Sequence, residues 1–197
     1  MLVFSKAKLV ILSIPKTGTT AIETALGPSA AIWVQDPPDL KHAPIYRYNR
    51  FFRPALEKFV SPDIQTMAVV REPISWLGSW WRYRQRPFME GKANATHGIS
   101  FDDFVEAYCQ GKPPAFANVG SQANFLKPQP NGTSIDLLFR YEDQPKLLAF
   151  LEERLERPIT LARENVSPEI PVALSPAVEA KYRRKCAAEF ELYEGIA

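Results

Sequence analysis

The chain has 197 residues, 46% of them hydrophobic and 23% charged, with a formal net charge of +2. Such a length suits a single domain spanning 1–197 with a core of its own, and the composition excludes disordered, collagen-like and low-complexity classes. Two cysteines without metal-ligand spacing and only two histidines argue against a structural zinc centre, and no stretch reaches the roughly 20 apolar residues of a membrane span.

Residues 9–12, Leu-Val-Ile-Leu, form an unbroken apolar run of the kind found in a strand covered on both faces. Lys6 and Lys8 precede it, but the run is too short for a signal peptide, so a soluble protein of the reducing cytoplasm is expected, with a Cys109–Cys186 disulfide the open alternative. Pro15 ends the strand, Gly18 allows a close turn, and from Thr19 the positions Ile22, Ala25 and Leu26 recur at helical spacing. Ala30–Val34 predicts a second strand and Asp36-Pro37-Pro38-Asp39 a loop. A helix is expected over 45–59 with Phe51, Phe52, Ala55 and Phe59 on its apolar face, followed by a strand over 64–70. Glu72-Pro73 opens a helix that runs to about Arg86, Ser100 begins another that ends by Gly111, and 118–126 holds a short one. A strand over 135–141 leads directly into a helix over 144–155, and Ser175-Pro176 starts a last helix reaching about Tyr193.

Alternating strands and helices predict an α/β fold of three layers, a central parallel sheet flanked by helices, with ligands beyond the carboxyl ends of the strands. Lys16, Arg71 and Tyr141 each follow such an end, so they are expected on one rim. Charge is uneven in the same sense. Residues 41–92 carry ten Lys/Arg against four Asp/Glu, whereas 135–197 carry nine against twelve. A basic middle suits an anionic ligand, or simply a solvated basic face.

The turn Pro15-Lys16-Thr17-Gly18-Thr19-Thr20 aims the backbone N–H groups of residues 17–20 at one point beside a helix N-terminus, and Lys16 and three threonine hydroxyls add charge and donors. It is not a Walker A loop, because Lys16 precedes the only glycine instead of following a second one. A second pattern, Arg71-Glu72-Pro73 with Ser79 eight residues after Arg71, puts an arginine fork at a strand end and a hydroxyl on the next helix. A third is Phe139-Arg140-Tyr141-Glu142-Asp143, whose acids are placed to cap the following helix.

Together these segments resemble the sulfotransferases that use 3′-phosphoadenosine-5′-phosphosulfate (PAPS). The loop is similar to their 5′-phosphosulfate loop, and Arg71 and Ser79 resemble the 3′-phosphate pair. Arg140-Tyr141-Glu142-Asp143 resembles a segment whose tyrosine contacts adenine, and Glu164-Asn165-Val166-Ser167-Pro168 a loop preceding the last helix. The resemblance implies a P-loop NTPase-like sulfotransferase fold, PAPS as sulfuryl donor, 3′,5′-ADP (PAP) as product, and no metal. It implies donor binding by Lys16, Thr17, Gly18, Thr19, Thr20, Arg71, Ser79, Tyr141 and Arg163. His42, in Lys41-His42-Ala43-Pro44, resembles the catalytic histidine of the cytosolic members, with Glu23 the reserve base because some carbohydrate members use a glutamate.

Ala21 stands where cytosolic members stack a tryptophan on adenine, and their Arg-Lys-Gly loop is absent, so the likeness is closer to bacterial and carbohydrate members. The acceptor expected is a hydroxyl or amine of a small molecule or carbohydrate. The alternatives are a nucleotide kinase or NTPase of related fold and a non-catalytic module that binds PAPS or PAP. No nucleic-acid recognition motif is present.

Overall fold

The computed structural model describes residues 1–161 and 170–196. These residues form two compact units. One comprises residues 1–71 and 122–161 with Ile196, the other residues 72–121 and 170–195.

The first unit is built on a five-stranded sheet. Strands β1 (Leu2–Phe4) and β2 (Leu9–Leu12) form an antiparallel hairpin closed over residues 5–8. Helix α1 (Thr19–Leu26) follows, then strand β3 (Ile32–Trp33), which also pairs antiparallel with β1. Next come the single turn α2 (Pro38–Lys41) and a helical stretch made of α3 (Ile45–Arg47), a wide turn over Tyr48–Phe52, and α4 (Arg53–Phe59). Strand β4 (Gln65–Val70) pairs parallel with β2, giving the order β3-β1-β2-β4-β5 once β5 (Leu137–Arg140) joins parallel to β4.

Four strands therefore point one way and β1 the other, and the sheet is α/β and mostly parallel, not wholly so as expected. The cause is the Ser5–Lys8 turn. A lysine-bearing reverse turn, with Lys8 at φ +48, returns the chain at once where a crossover helix would have been needed for a parallel partner. Both faces of the central strands are buried. On one, Leu9, Ile11, Met67, Val69 and Phe139 pack with Ile22 and Leu26 of α1 and with Leu147 and Leu151 of α8 (Gln144–Leu155). On the other, Val10, Leu12, Ala68 and Val70 are 0–1% exposed. Burial on that scale, at about 1.5–3 kcal/mol for each large apolar side chain, is what fixes the register.

The stretch 45–59 is helical as predicted but turned differently. Ile45, Tyr48 and Leu56 are buried, whereas Phe51 and Phe59, expected inside, are 61% and 78% exposed. Pro54 has no N–H to give a residue four back, and the ladder opens there into an i→i+5 turn, with the Arg53 N–H on the Tyr48 carbonyl. The extra residue rotates the downstream face.

The second unit holds α5 (Pro73–Tyr83) and α6 (Phe101–Tyr108). Glu72 caps α5 by accepting from the N–H groups of Ile74 and Ser75, and Ser100 caps α6 by accepting from that of Asp103. The expected short helix over 118–126 is the single turn α7 (Gln122–Phe125), which belongs to the first unit. The last predicted helix is two, α9 (Pro176–Lys185) and α10 (Ala187–Glu194), broken at Cys186. Trp76, Leu77, Trp81, Phe104, Tyr182 and Phe190 form this unit's core. Trp80, beside Trp81 on α5, is half-buried, edge-on to Trp76 and Tyr83. Cys109 and Cys186 are both free thiols.

Arg84, part of the basic middle of the sequence, is 7% exposed and serves as a clamp. Its guanidinium donates to the carbonyls of Ala115, Phe116 and Asn118 at 2.9, 2.7 and 3.0 Å, and burial lowers its pKa. An ammonium cannot span three carbonyls with that planar fork. Arg84→Lys is expected to lower stability by about 1–3 kcal/mol in urea unfolding, with the m-value unchanged.

Candidate functional site

The loop after β2 is held in a conformation that only part of its sequence favours. Gly18 has φ +76 and Lys16 φ +70, so a lysine occupies the left-handed region, at a cost of roughly 1–2 kcal/mol that the surroundings must offset. Thr17, 1% exposed, turns inward and donates its hydroxyl to the Ile14 carbonyl at 2.9 Å. That bond staples the loop to the strand end, so the Thr17 hydroxyl braces the cradle from within. Gly18 caps α1, and no side chain caps that terminus. The positive end of α1, flanked by Thr19 and Thr20, therefore carries no side-chain cap.

Arg71, the residue after β4, and Tyr141, the residue after β5, meet this loop. The Arg71 guanidinium lies over the Tyr141 ring at 4.4 Å and donates to the Lys16 carbonyl at 3.4 Å. The same ring lies against Gly18 so closely that a Cβ there would stand 2.9 Å from its Cε2. Glycine at 18 thus serves both the turn and the close approach of Tyr141. The three sequence segments expected on one rim are in contact, and Tyr141 touches the loop and Arg71 while also packing against the hydrophobic core of the sheet.

One residue of this arrangement is not apparent in the sequence. Gln122, fully buried, clamps the Arg71 peptide with both ends of its amide, accepting from the Arg71 N–H at 2.9 Å and donating to the Arg71 carbonyl at 2.8 Å. A lone glutamine in a one-turn helix carries no pattern that would mark it.

His42 is tied to the same strand end. Its Nδ1 stands 2.7 Å from the Ser13 carbonyl, and since a carbonyl only accepts, Nδ1 carries the proton and Nε2 keeps its lone pair. Burial lowers its pKa from 6.5, with the Ser13 hydrogen bond acting in opposition, so the ring is held neutral at physiological pH. Ser13 also works through its hydroxyl, which donates to Glu23 at 2.9 Å. Glu23, 4% exposed, pairs in turn with Lys41 at 2.7 Å, and the Met1 nitrogen lies 3.6 Å from it. The carboxylate considered as a reserve base is committed to these partners, and its geometry is that of a buried hub.

Ser79 is buried on α5, in the second unit. Arg163 and the segment Glu164-Asn165-Val166-Ser167-Pro168 lie outside the described residues. Among the described residues no cluster of His, Cys, Asp or Glu is arranged to hold a metal ion, and no helix is long and apolar enough to cross a membrane.

The His42 environment makes a pH prediction. Its folded-state pKa lies below the unfolded value, so between the two the unfolded chain binds more protons, and stability falls as pH drops below about 6.5. Melting temperatures measured from pH 7.5 to 5 should decline less steeply for His42→Gln than for the wild type. A wild-type slope retained in the variant would remove His42 as its source. Comparisons of the chain with protein-family models, with curated proteins and with solved structures return no match.

Proposed function

We propose that the chain is a PAPS-dependent sulfotransferase with a P-loop NTPase-like fold, transferring a sulfuryl group to a hydroxyl or amine of a small molecule or carbohydrate. The observation that carries this reading is the contact of Arg71 and Tyr141 with the Lys16–Gly18 turn, which gathers a guanidinium, a lysine-bearing turn and a helix terminus without a side-chain cap at the carboxyl ends of three parallel strands. A donor with phosphate groups at both ends of an adenosine needs two anion grips of this kind, one of them a fork. Lys16 and the amides of 17–20 would hold the 5′-phosphosulfate, and Arg71 the 3′-phosphate.

In this reading Lys16 and the α1 terminus stabilise charge that develops on the phosphate oxygen released as the sulfur–oxygen bond breaks. His42 takes the proton from the acceptor on Nε2 as the new bond to sulfur forms, while the Ser13 carbonyl keeps its Nδ1 protonated and the ring aimed. Holding both reactants in line is worth more than any single group.

Calorimetric titration with 3′,5′-ADP, set against ATP with magnesium, tests the proposal. Metal-independent binding of 3′,5′-ADP, weakened about ten- to hundredfold by Arg71→Ala, is the expected result. Preference for ATP with magnesium would move the chain to a kinase or NTPase, and binding of neither would leave a non-catalytic member. With donor and a panel of hydroxyl and amine acceptors, Lys16→Ala should lower turnover about 10²–10³-fold, and near-normal turnover would sink its assignment.

A further inference from the structure

The helical stretch α3–α4 turns an apolar row to solvent. Tyr46 is 46% exposed, Phe51 61% and Phe59 78%, three of the six exposed large hydrophobic side chains among the described residues, all within fourteen positions. Scattered singly, such residues would need no explanation, but a concentration of them marks a surface that meets something. They share one face. Tyr48 and Leu56, eight residues apart, are buried, and Phe51 and Phe59, each three residues further on, both point outward. The exposed positions 46, 50–51, 54–55 and 58–59 recur every four to five residues, the spacing of a single row.

Each ring in the row carries a cation at its side. Arg47 stands 5.6 Å from the centre of Tyr46, Arg50 5.3 Å from Phe51 and Lys58 5.4 Å from Phe59. Arg47 is neutralised by Asp39 at 2.9 Å, and Arg53, at the edge of the row, by Glu57. Arg50 and Lys58 are exposed and pair with no carboxylate among the described residues. The row thus offers phenyl rings that no polar group can satisfy and positive charge that remains to be met.

We propose that this face docks on an anionic lipid bilayer, Phe51 and Phe59 entering the acyl boundary and Arg50 and Lys58 resting on phosphate headgroups. The pattern of phenyl rings with flanking cations on one side of a helix is that of an interfacial helix. Phe51 and Phe59 have no polar tip, so an anionic polymer that presents only its charged backbone, such as a nucleic-acid duplex, would meet the cations and leave the rings in water. A second copy across a two-fold axis would set Arg50 and Lys58 against their own charges, which disfavours self-association through this face.

The test is co-sedimentation of the full chain with vesicles of phosphatidylcholine alone or of phosphatidylcholine and phosphatidylglycerol at about two to one, at low and high salt. Binding to the anionic vesicles, about thirtyfold tighter than to neutral ones if each cation contributes as a surface lysine does, and weakening with salt, is expected. Phe51→Ser with Phe59→Ser should abolish sedimentation, and Arg50→Gln with Lys58→Gln should reduce it to the neutral-vesicle level. Unchanged far-UV dichroism and melting would show both variants folded. Absence of binding to either vesicle, equal binding to both, or full binding by the Phe variant would overturn the proposal. So would a lipid-free dimer in sedimentation velocity that the Phe variant dissolves, which would give the face to a second copy.

Discussion

Register in the parallel part of the sheet is the constraint on which the site depends. Leu12 pairs with Ala68 and Val70 with Arg140, so β4 and β5 end level and β2 two residues short of them, and the turn after β2 runs on to meet Arg71 and Tyr141. A slip of one position would move Arg71 by about 3.3 Å along the strand and turn its side chain to the opposite face. The alternating burial that prevents this is distributed over both faces of the strands, with Ile11 and Met67 on one and Val10 and Ala68 on the other. Core packing at one end of the molecule's logic thereby becomes electrostatics at the other.

Charge in the first unit is organised in two layers. Arg71 reaches the turn that carries Lys16, while Lys41 is spent on Glu23 within the fold. The Glu23 carboxylate accepts from Ser13, whose carbonyl orients His42, so an ion pair fixes the residue that fixes the ring. The basic excess of residues 41–92 likewise divides by use. Arg84 holds carbonyls, Arg53 and Arg47 pair with acids, and Arg50 and Lys58 stay at the surface.

The sequence made legible what local chemistry dictates. The run 9–12, the turn at Gly18, the Glu72-Pro73 and Ser100 helix starts and the strand-to-helix passage at Asp143 carry their own signals and are found where those signals lie. The expected meeting of Lys16, Arg71 and Tyr141 followed from topology alone. What could not be read depends on contacts distant in sequence or on small departures from ideal geometry. Gln122 is recognisable only once the Arg71 peptide lies beside it. The buried face of 45–59 turns on one extra residue at Pro54, which periodicity with a fixed 3.6 spacing cannot register. The antiparallel β1 is three residues long, too short for any pattern.

The Gln122 clamp has a consequence for how the chain is threaded. The first unit is left after Arg71 and re-entered at Gln122, so the excursion over 72–121 begins and ends at a single amide-to-peptide pair. Closing a flexible loop of that length carries an entropic cost of about 3.5 kcal/mol before constants, which two hydrogen bonds to a buried glutamine partly offset. Segment 72–121 is thus topologically a loop with a locked neck. Its length and content can change without moving Arg71, because the two Gln122 hydrogen bonds hold that peptide from within the first unit.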